Sequence, residues 1–181
     1  VLLPEVELMQ LDEIAPDLEL EEPFDTFTAN ALAKARTVMR ATDMPAIADD
    51  SGIEVDALDG APGVFSARYS GEGATDRSNN AKLVAALREV PDADRTCRYR
   101  CVAVAVFPDG EELVAEGTCE GRITLEARGT GGFGYDPHVV PEGETRTMGE
   151  IPLEEKLAFS HRGRAFRALD EQLRREGRYS S

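Results

Sequence analysis

Residues 97–107 read CRYRCVAVAVF. The first five alternate, with Cys97, Tyr99 and Cys101 on one side and Arg98 and Arg100 on the other; from Val102 to Phe107 every position is apolar. Successive strand side chains point to opposite faces. A run that is apolar on both faces therefore belongs to a central strand covered on both sides. Pro108-Asp109-Gly110 turns the chain, and EELVAEGTCEGRIT (111–124) returns as the partner of a hairpin. Such a strand needs helices on either side, which predicts an α/β class with a central, mixed, twisted sheet flanked by helices.

The helices are legible on both flanks of this hairpin. Asp25 or Thr26 caps the first, in which Phe27, Ala31, Ala35 and Val38 or Met39 recur at helical spacing to about Ala41. Its opposite face carries Asn30, Lys34 and Thr37. Thr75 or Asp76 caps a second helix with an apolar stripe of Ala81, Val84 and Leu87, stopped by Pro91. AFRALDEQLRR (165–175) is the last. MPAIADD (44–50) reads as a short strand ending at its two aspartates, with Ser51-Gly52 turning the chain into a second extended piece, GIEVDALDGAPG (52–63). Residues 63–74 read as a loop, HVVP (138–141) as a short strand and TMGEIPLEEK (147–156) as helix-like. With no internal repeat or long linker, residues 1–181 are expected to form one domain.

Composition narrows the partners. The net charge is −15, from 35 acidic and 20 basic residues. That balance repels a nucleic-acid backbone at long range, so no polynucleotide partner is expected. A small anionic substrate remains compatible if a divalent cation bridges it to carboxylates. No apolar run approaches the ~20 residues of a spanning helix, and no signal pattern opens the chain. A cytoplasmic protein with no membrane partner is the expectation. Cys97, Cys101 and Cys119 lack zinc spacing and read as buried free thiols. Only three of the twenty basic residues are lysines: Lys34, Lys82 and Lys156.

Four segments carry chemistry. Asp49 and Asp50 end an apolar strand, where α/β sheets place ligand-binding residues. Alternation sends them to opposite faces, so one serves a site and the other buttresses the turn. Two adjacent acids raise each other's pKa, which suits metal binding better than base catalysis. GTGGFG (129–134) is a literal GxGxxG, but the YDPHVVP that follows leaves no room for the helix a dinucleotide site requires. Its glycines instead let backbone approach a ligand, with Phe133 and Tyr135 as flat surfaces for a base. In KLAFSHRG (156–163), Lys156, His161 and Arg162 offer three donors for phosphate or carbonyl oxygens. His138 reads as structural. Asn30 and Lys34, with Glu21 and Glu22 upstream, gain meaning only if their helix faces Asp50.

Taken in order, TFTANALAKA, PAIADDSGIEVDALDGAPGVFSARYSG, ATDRSNNAKL, GTGGFGYDP and EEKLAFSHRG resemble the inosine/xanthosine triphosphate pyrophosphatases. The resemblance runs from about residue 20 to the last helix. It implies an elongated two-lobed α/β domain with its site in the cleft, usually a homodimer. It implies Mg²⁺-dependent cleavage of dITP, ITP and XTP between the α and β phosphates, giving the monophosphate and pyrophosphate. By motif position, Asp50 is the proton acceptor and a metal ligand, with Glu22 the second metal-site acid and Glu21 the near alternative. Asp49 has no assigned role. Ser51, Phe133, Gly134, Tyr135, Asp136, Lys156, His161 and Arg162 are implied to contact the nucleotide, and Lys34 its phosphates. Ala29-Asn30-Ala31 stands where the family has Glu-Asn-Ala, and His138 where an apolar residue is usual. The family's Thr-Gly-Asn-x-x-Lys phosphate loop would fall upstream of Val1, so truncation is expected, with nucleotide binding without turnover as the alternative.

Overall fold

In the computed structural model, residue 3 and residues 7–178 are described. The apolar run forms a strand, Thr96–Val106 (β2), between Ala46–Val55 (β1) and Glu112–Ile123 (β3), with Val139–Pro141 (β4) beyond β3. The helices are Leu11–Ile14 (α1), Phe27–Thr42 (α2), Asp76–Leu87 (α3), Leu153–Phe159 (α4) and His161–Arg175 (α5). The helix-flanked α/β class read from β2 is therefore the observed one.

The sheet order β1-β2-β3-β4 follows the chain. β2 turns into β3 through Gly110 N–H donating to Phe107 O and Phe107 N–H to Glu111 O, each at 3.0 Å. β4 runs antiparallel to β3, with Gly121 opposite Pro141. A Cβ at Gly121 would lie 2.6 Å from the Val140 carbonyl, so only glycine admits β4 this closely. Along β2, Arg98 pairs with Asp56, the residue just past β1, at 3.0 Å while Arg100 pairs with Glu54 of β1 at 3.7 Å, so the two strands run oppositely. The four described strands are thus antiparallel, not mixed. Each joins its sequence neighbour without the parallel crossover that mixing directions would require.

Two compact units share the chain: Val1–Asp50, Cys101–Gly117 and Arg162–Ser181 in one, Ser51–Arg100 and Thr118–His161 in the other. In the first, Ala165, Leu169 and Leu173 of α5, spaced one turn apart, pack on Cys101, Ala103 and Ala105, one face of β2. Burying a leucine such as Leu169 contributes about 2 kcal/mol. Val102, Val104 and Val106 point the other way and are equally buried, as the two-sided apolar run requires. In the second unit Leu83 and Leu87 of α3 close a core with Ile53, Val55, Cys97, Tyr99 and Ile123.

Four local expectations change. Ser51-Gly52 is no turn: β1 continues unbroken through both, because neither residue prevents extended backbone when its neighbours are paired. The buried stripe of α3 is Asn79, Leu83 and Leu87, while Ala81 is exposed. Asn79 holds a core position because its amide is satisfied by Ser70 N–H at 2.8 Å and the Ala67 carbonyl at 3.0 Å. The short strand starts at Val139, since His138 closes a 3-10 turn and its Nδ1 meets Thr124 O at 2.8 Å. In TMGEIPLEEK only the end is helical. Met148 N–H bonds Val139 O at 2.7 Å and Thr147 Oγ1 donates to Arg128 O at 2.6 Å, so the chain docks there before Pro152 opens α4.

The three cysteines are free and buried. Burial pushes the Cys97 thiol up to about 12 and that of Cys101 higher still. The native protein is accordingly expected to give no fast reaction with a disulfide reagent at pH 8, and three equivalents once denatured. One fast native thiol, measured by thiolate absorbance, would contradict this packing. Among the described residues no helix is long and apolar enough to cross a membrane.

Candidate active site

The site residues expected from sequence fall into two constellations, one in each unit. The first is built on β1 and α2. Thr26 caps α2 by accepting from Ala29 N–H at 3.2 Å, which fixes the helix start and the register of Asn30 and Lys34. Asn30 is fully buried. Its Oδ1 accepts from Phe24 N–H at 2.9 Å, and its Nδ2 donates to Phe24 O and to Asp50 Oδ2, each at 3.1 Å. One amide therefore ties the acidic segment before α2 to the aspartate of β1.

Glu22 stands two residues before Phe24. Lys34 Nζ donates to Glu22 Oε1 at 2.5 Å and lies 3.8 Å from Asp50 Oδ1. Two carboxylates thus converge on one ammonium. Glu21, in contrast, is exposed. The condition attached to Asn30 and Lys34 is met, because their helix does face Asp50.

Asp49 points the other way, as alternation along a strand demands. Its Oδ2 accepts from Arg162 Nε at 3.1 Å and Nη2 at 2.9 Å, and from the Cys101 thiol at 3.6 Å. Burial pulls the guanidinium's pKa down, but the Asp49 charge and hydrogen bonds outweigh it and leave Arg162 raised. Asp49 therefore orients Arg162. The adjacent aspartates are two separate devices on opposite faces of one strand.

The second constellation surrounds Asp136. Its Oδ2 accepts from Lys156 Nζ at 2.9 Å and from Phe133 N–H at 3.3 Å, and its Oδ1 from the Tyr99 hydroxyl at 3.0 Å. Lys156 comes from α4 and is buried with Asp136. His161, buried in the first turn of α5, stacks on the Tyr99 ring with centroids 4.7 Å apart. Burial, with Asp136 alongside, raises the Tyr99 phenol well above its ordinary value, so it stays a donor. Tyr135 turns inward, its hydroxyl donating to Ser66 O at 2.7 Å, which leaves Phe133 as the exposed ring of the loop. Ser51 lies half-buried in the middle of β1.

The glycines of 129–134 now have physical reasons. At Gly132, with φ +81°, a Cβ would overlap the Asp136 carboxylate and lie 2.6 Å from Lys156 Nζ. At Gly129, with φ +80°, it would overlap Gly149 backbone. Helix α3 clamps the loop from the side: Gly134 N–H donates to Asp76 Oδ2, and Asn80 Nδ2 to Gly134 O, both at 2.8 Å. After Gly134 the chain enters a 3-10 turn and β4, so the dinucleotide-binding geometry is absent, as the sequence predicts.

Tyr99 and Asn80 are the contributors that sequence reading misses. Tyr99 reads as one more core residue of β2, and the available signal is its hydroxyl, since a buried tyrosine usually finds a partner. Among the described residues no three His, Cys, Asp or Glu side chains cluster as metal ligands. Asp50 and Glu22 are nevertheless hard oxygen donors that already converge on a positive charge, the chemistry a divalent cation bound through one or two carboxylates plus phosphates requires.

Known proteins resemble this chain closely in sequence and in fold. The sequence model of the Ham1 family matches residues 2–172. A Geobacter sulfurreducens protein named dITP/XTP pyrophosphatase is 48% identical over 170 residues, covering 94% of this chain and 85% of the relative. One of the same name from Escherichia coli K12 is 50% identical over 156 residues, covering 85% and 79%. The structure of the Staphylococcus aureus Ham1 protein superposes with a TM-score of 0.89 at 38% identity, covering 97% of this chain and 90% of that one.

Proposed function

The chain belongs to the Ham1 family, and from that premise we propose that it hydrolyses deaminated purine nucleoside triphosphates, dITP, ITP and XTP, to the monophosphate and pyrophosphate. The observation that carries the reading is the convergence of Asp50 and Glu22 on the single cation position held by Lys34. The relatives' shared name supplies the substrate class.

In this reading Asp50 and Glu22 would hold Mg²⁺, which when bound would neutralise phosphate charge. Asp50 accepts the proton of the attacking water. A water oxygen–phosphorus bond forms, the bridging bond between the α and β phosphates breaks, and pyrophosphate leaves. Asn30 keeps the Asp50 carboxylate in one orientation throughout. Lys34 offsets phosphate charge. Lys156, His161 and Arg162 supply donors for the nucleotide, with Ser51, the exposed Phe133 ring and the Gly134 backbone lying along it, while Tyr135 and Asp136 hold the loop from within. A donor aimed at the 6-oxo group is left unpaired by the 6-amino group of adenine, at a cost of roughly 1–3 kcal/mol.

Pyrophosphate release from dITP, XTP, ATP and GTP, with Mg²⁺ and then with EDTA, tests the assignment. Release from dITP and XTP that EDTA stops is the expected result. Tight binding of dITP with no release would overturn it.

A further inference from the structure

We propose that Tyr99 is a positioning residue for nucleotide recognition, fixing with one side chain both the Asp136 carboxylate that carries Lys156 and the ring of His161; this rests on the function proposed above. A core residue of β2 needs no hydroxyl to fill its place, since phenylalanine has the same ring. The Tyr99 hydroxyl is nevertheless committed to a carboxylate, Asp136 Oδ1, at 3.0 Å.

What that bond fixes follows from the rest of the Asp136 environment. The other oxygen is taken by Lys156 and by the Phe133 amide, and the Gly132 backbone lies so close that not even a Cβ fits beside it. Three internal donors account for most of what two carboxylate oxygens can accept. Asp136 is therefore mostly engaged from within, and it holds Lys156 and the loop amide. Tyr99 sets the remaining degree of freedom, the rotation of the carboxylate about its own axis. The same ring lies nearly parallel to His161, 15° between planes, and sets the tilt of that imidazole. A tyrosine has two side-chain torsions and both are spent here, so Lys156 and His161 are aligned by one stiff part.

The hydroxyl and the ring are separable. Tyr99→Phe keeps the stack and removes the hydrogen bond; Tyr99→Leu removes both. For Tyr99→Phe we expect KM for dITP to rise about three- to tenfold with kcat within about twofold, because recognition in ground and transition states suffers equally. Tyr99→Leu should raise KM further and narrow the preference for dITP over dATP. Thermal melts run alongside should show Tyr99→Phe close to wild type. An unchanged KM in Tyr99→Phe overturns the proposal, as does a lowered melting temperature accompanied by a fall in kcat that is equal for dITP and dATP. Wild-type protein that releases no pyrophosphate from dITP refutes the functional reading itself, before any variant is compared.

Discussion

Asp50→Asn is expected to lower kcat for dITP by about a hundred- to ten-thousandfold, the range over which removal of a general base is felt, with little change in melting temperature. The substitution is isosteric. The carbonyl of the new amide can still accept from Asn30 Nδ2, so the buried amide that ties Phe24 to β1 keeps its partner. Lys34 loses a carboxylate at 3.8 Å but retains Glu22 at 2.5 Å, so no buried ammonium is stranded. What disappears is the proposed proton acceptor and one of the two carboxylates that face Lys34. Pyrophosphate release across a Mg²⁺ titration, with a thermal melt on the same preparation, checks both halves. Turnover near that of wild type would refute the assignment of the base. Loss of the fold would show instead that Asp50 is chiefly a partner for Asn30.

How far the sequence can be read depends on which physical signal each feature leaves. β2 is legible because a run apolar on both faces fits little besides a strand covered on both sides, and α2 because cap, period and length agree. The separation of Asp49 from Asp50 is legible too, since alternation is a property of any strand. Ser51-Gly52 reads wrongly as a turn because local propensity favours turning there, while the pairing that keeps β1 extended is supplied by residues distant in sequence. Asn79 hides the stripe of α3 for a related reason: a buried amide is tolerable only with partners such as Ser70 and Ala67, and composition does not reveal partners. Lys34 and Glu22 can be suspected from proximity in sequence, but their convergence with Asp50 depends on Asn30, which reads as surface-polar until its bonds are seen. The Tyr99–Asp136 bond joins positions separated by 37 residues and has no local signature.

The Asp136–Lys156 pair should be the most costly electrostatic contact to break. Both side chains are only 9% exposed, and the pair is closed at 2.9 Å. Asp136→Asn leaves the size unchanged and its carbonyl can still accept from Tyr99, but its NH2 then faces Lys156 Nζ and the Phe133 N–H, so the variant removes their acceptor together with the charge. Lys156 is then a buried ammonium without a counter-ion, a situation that costs about 3–5 kcal/mol when one partner of a buried pair is removed. For a chain of this length that corresponds to a fall in melting temperature of roughly 10 °C or more. Adding Lys156→Met removes the stranded charge while keeping most of the buried stem volume. The double variant Asp136→Asn/Lys156→Met is therefore expected to regain much of the lost stability, because replacing a buried pair is far cheaper than breaking it. It should not regain low KM for dITP, because the donor that Asp136 holds is gone. Melting temperature and KM measured on the two single variants and the double variant separate the two roles. A double variant no more stable than Asp136→Asn alone would mean that the loop geometry around Gly132, rather than the ion pair, sets the cost.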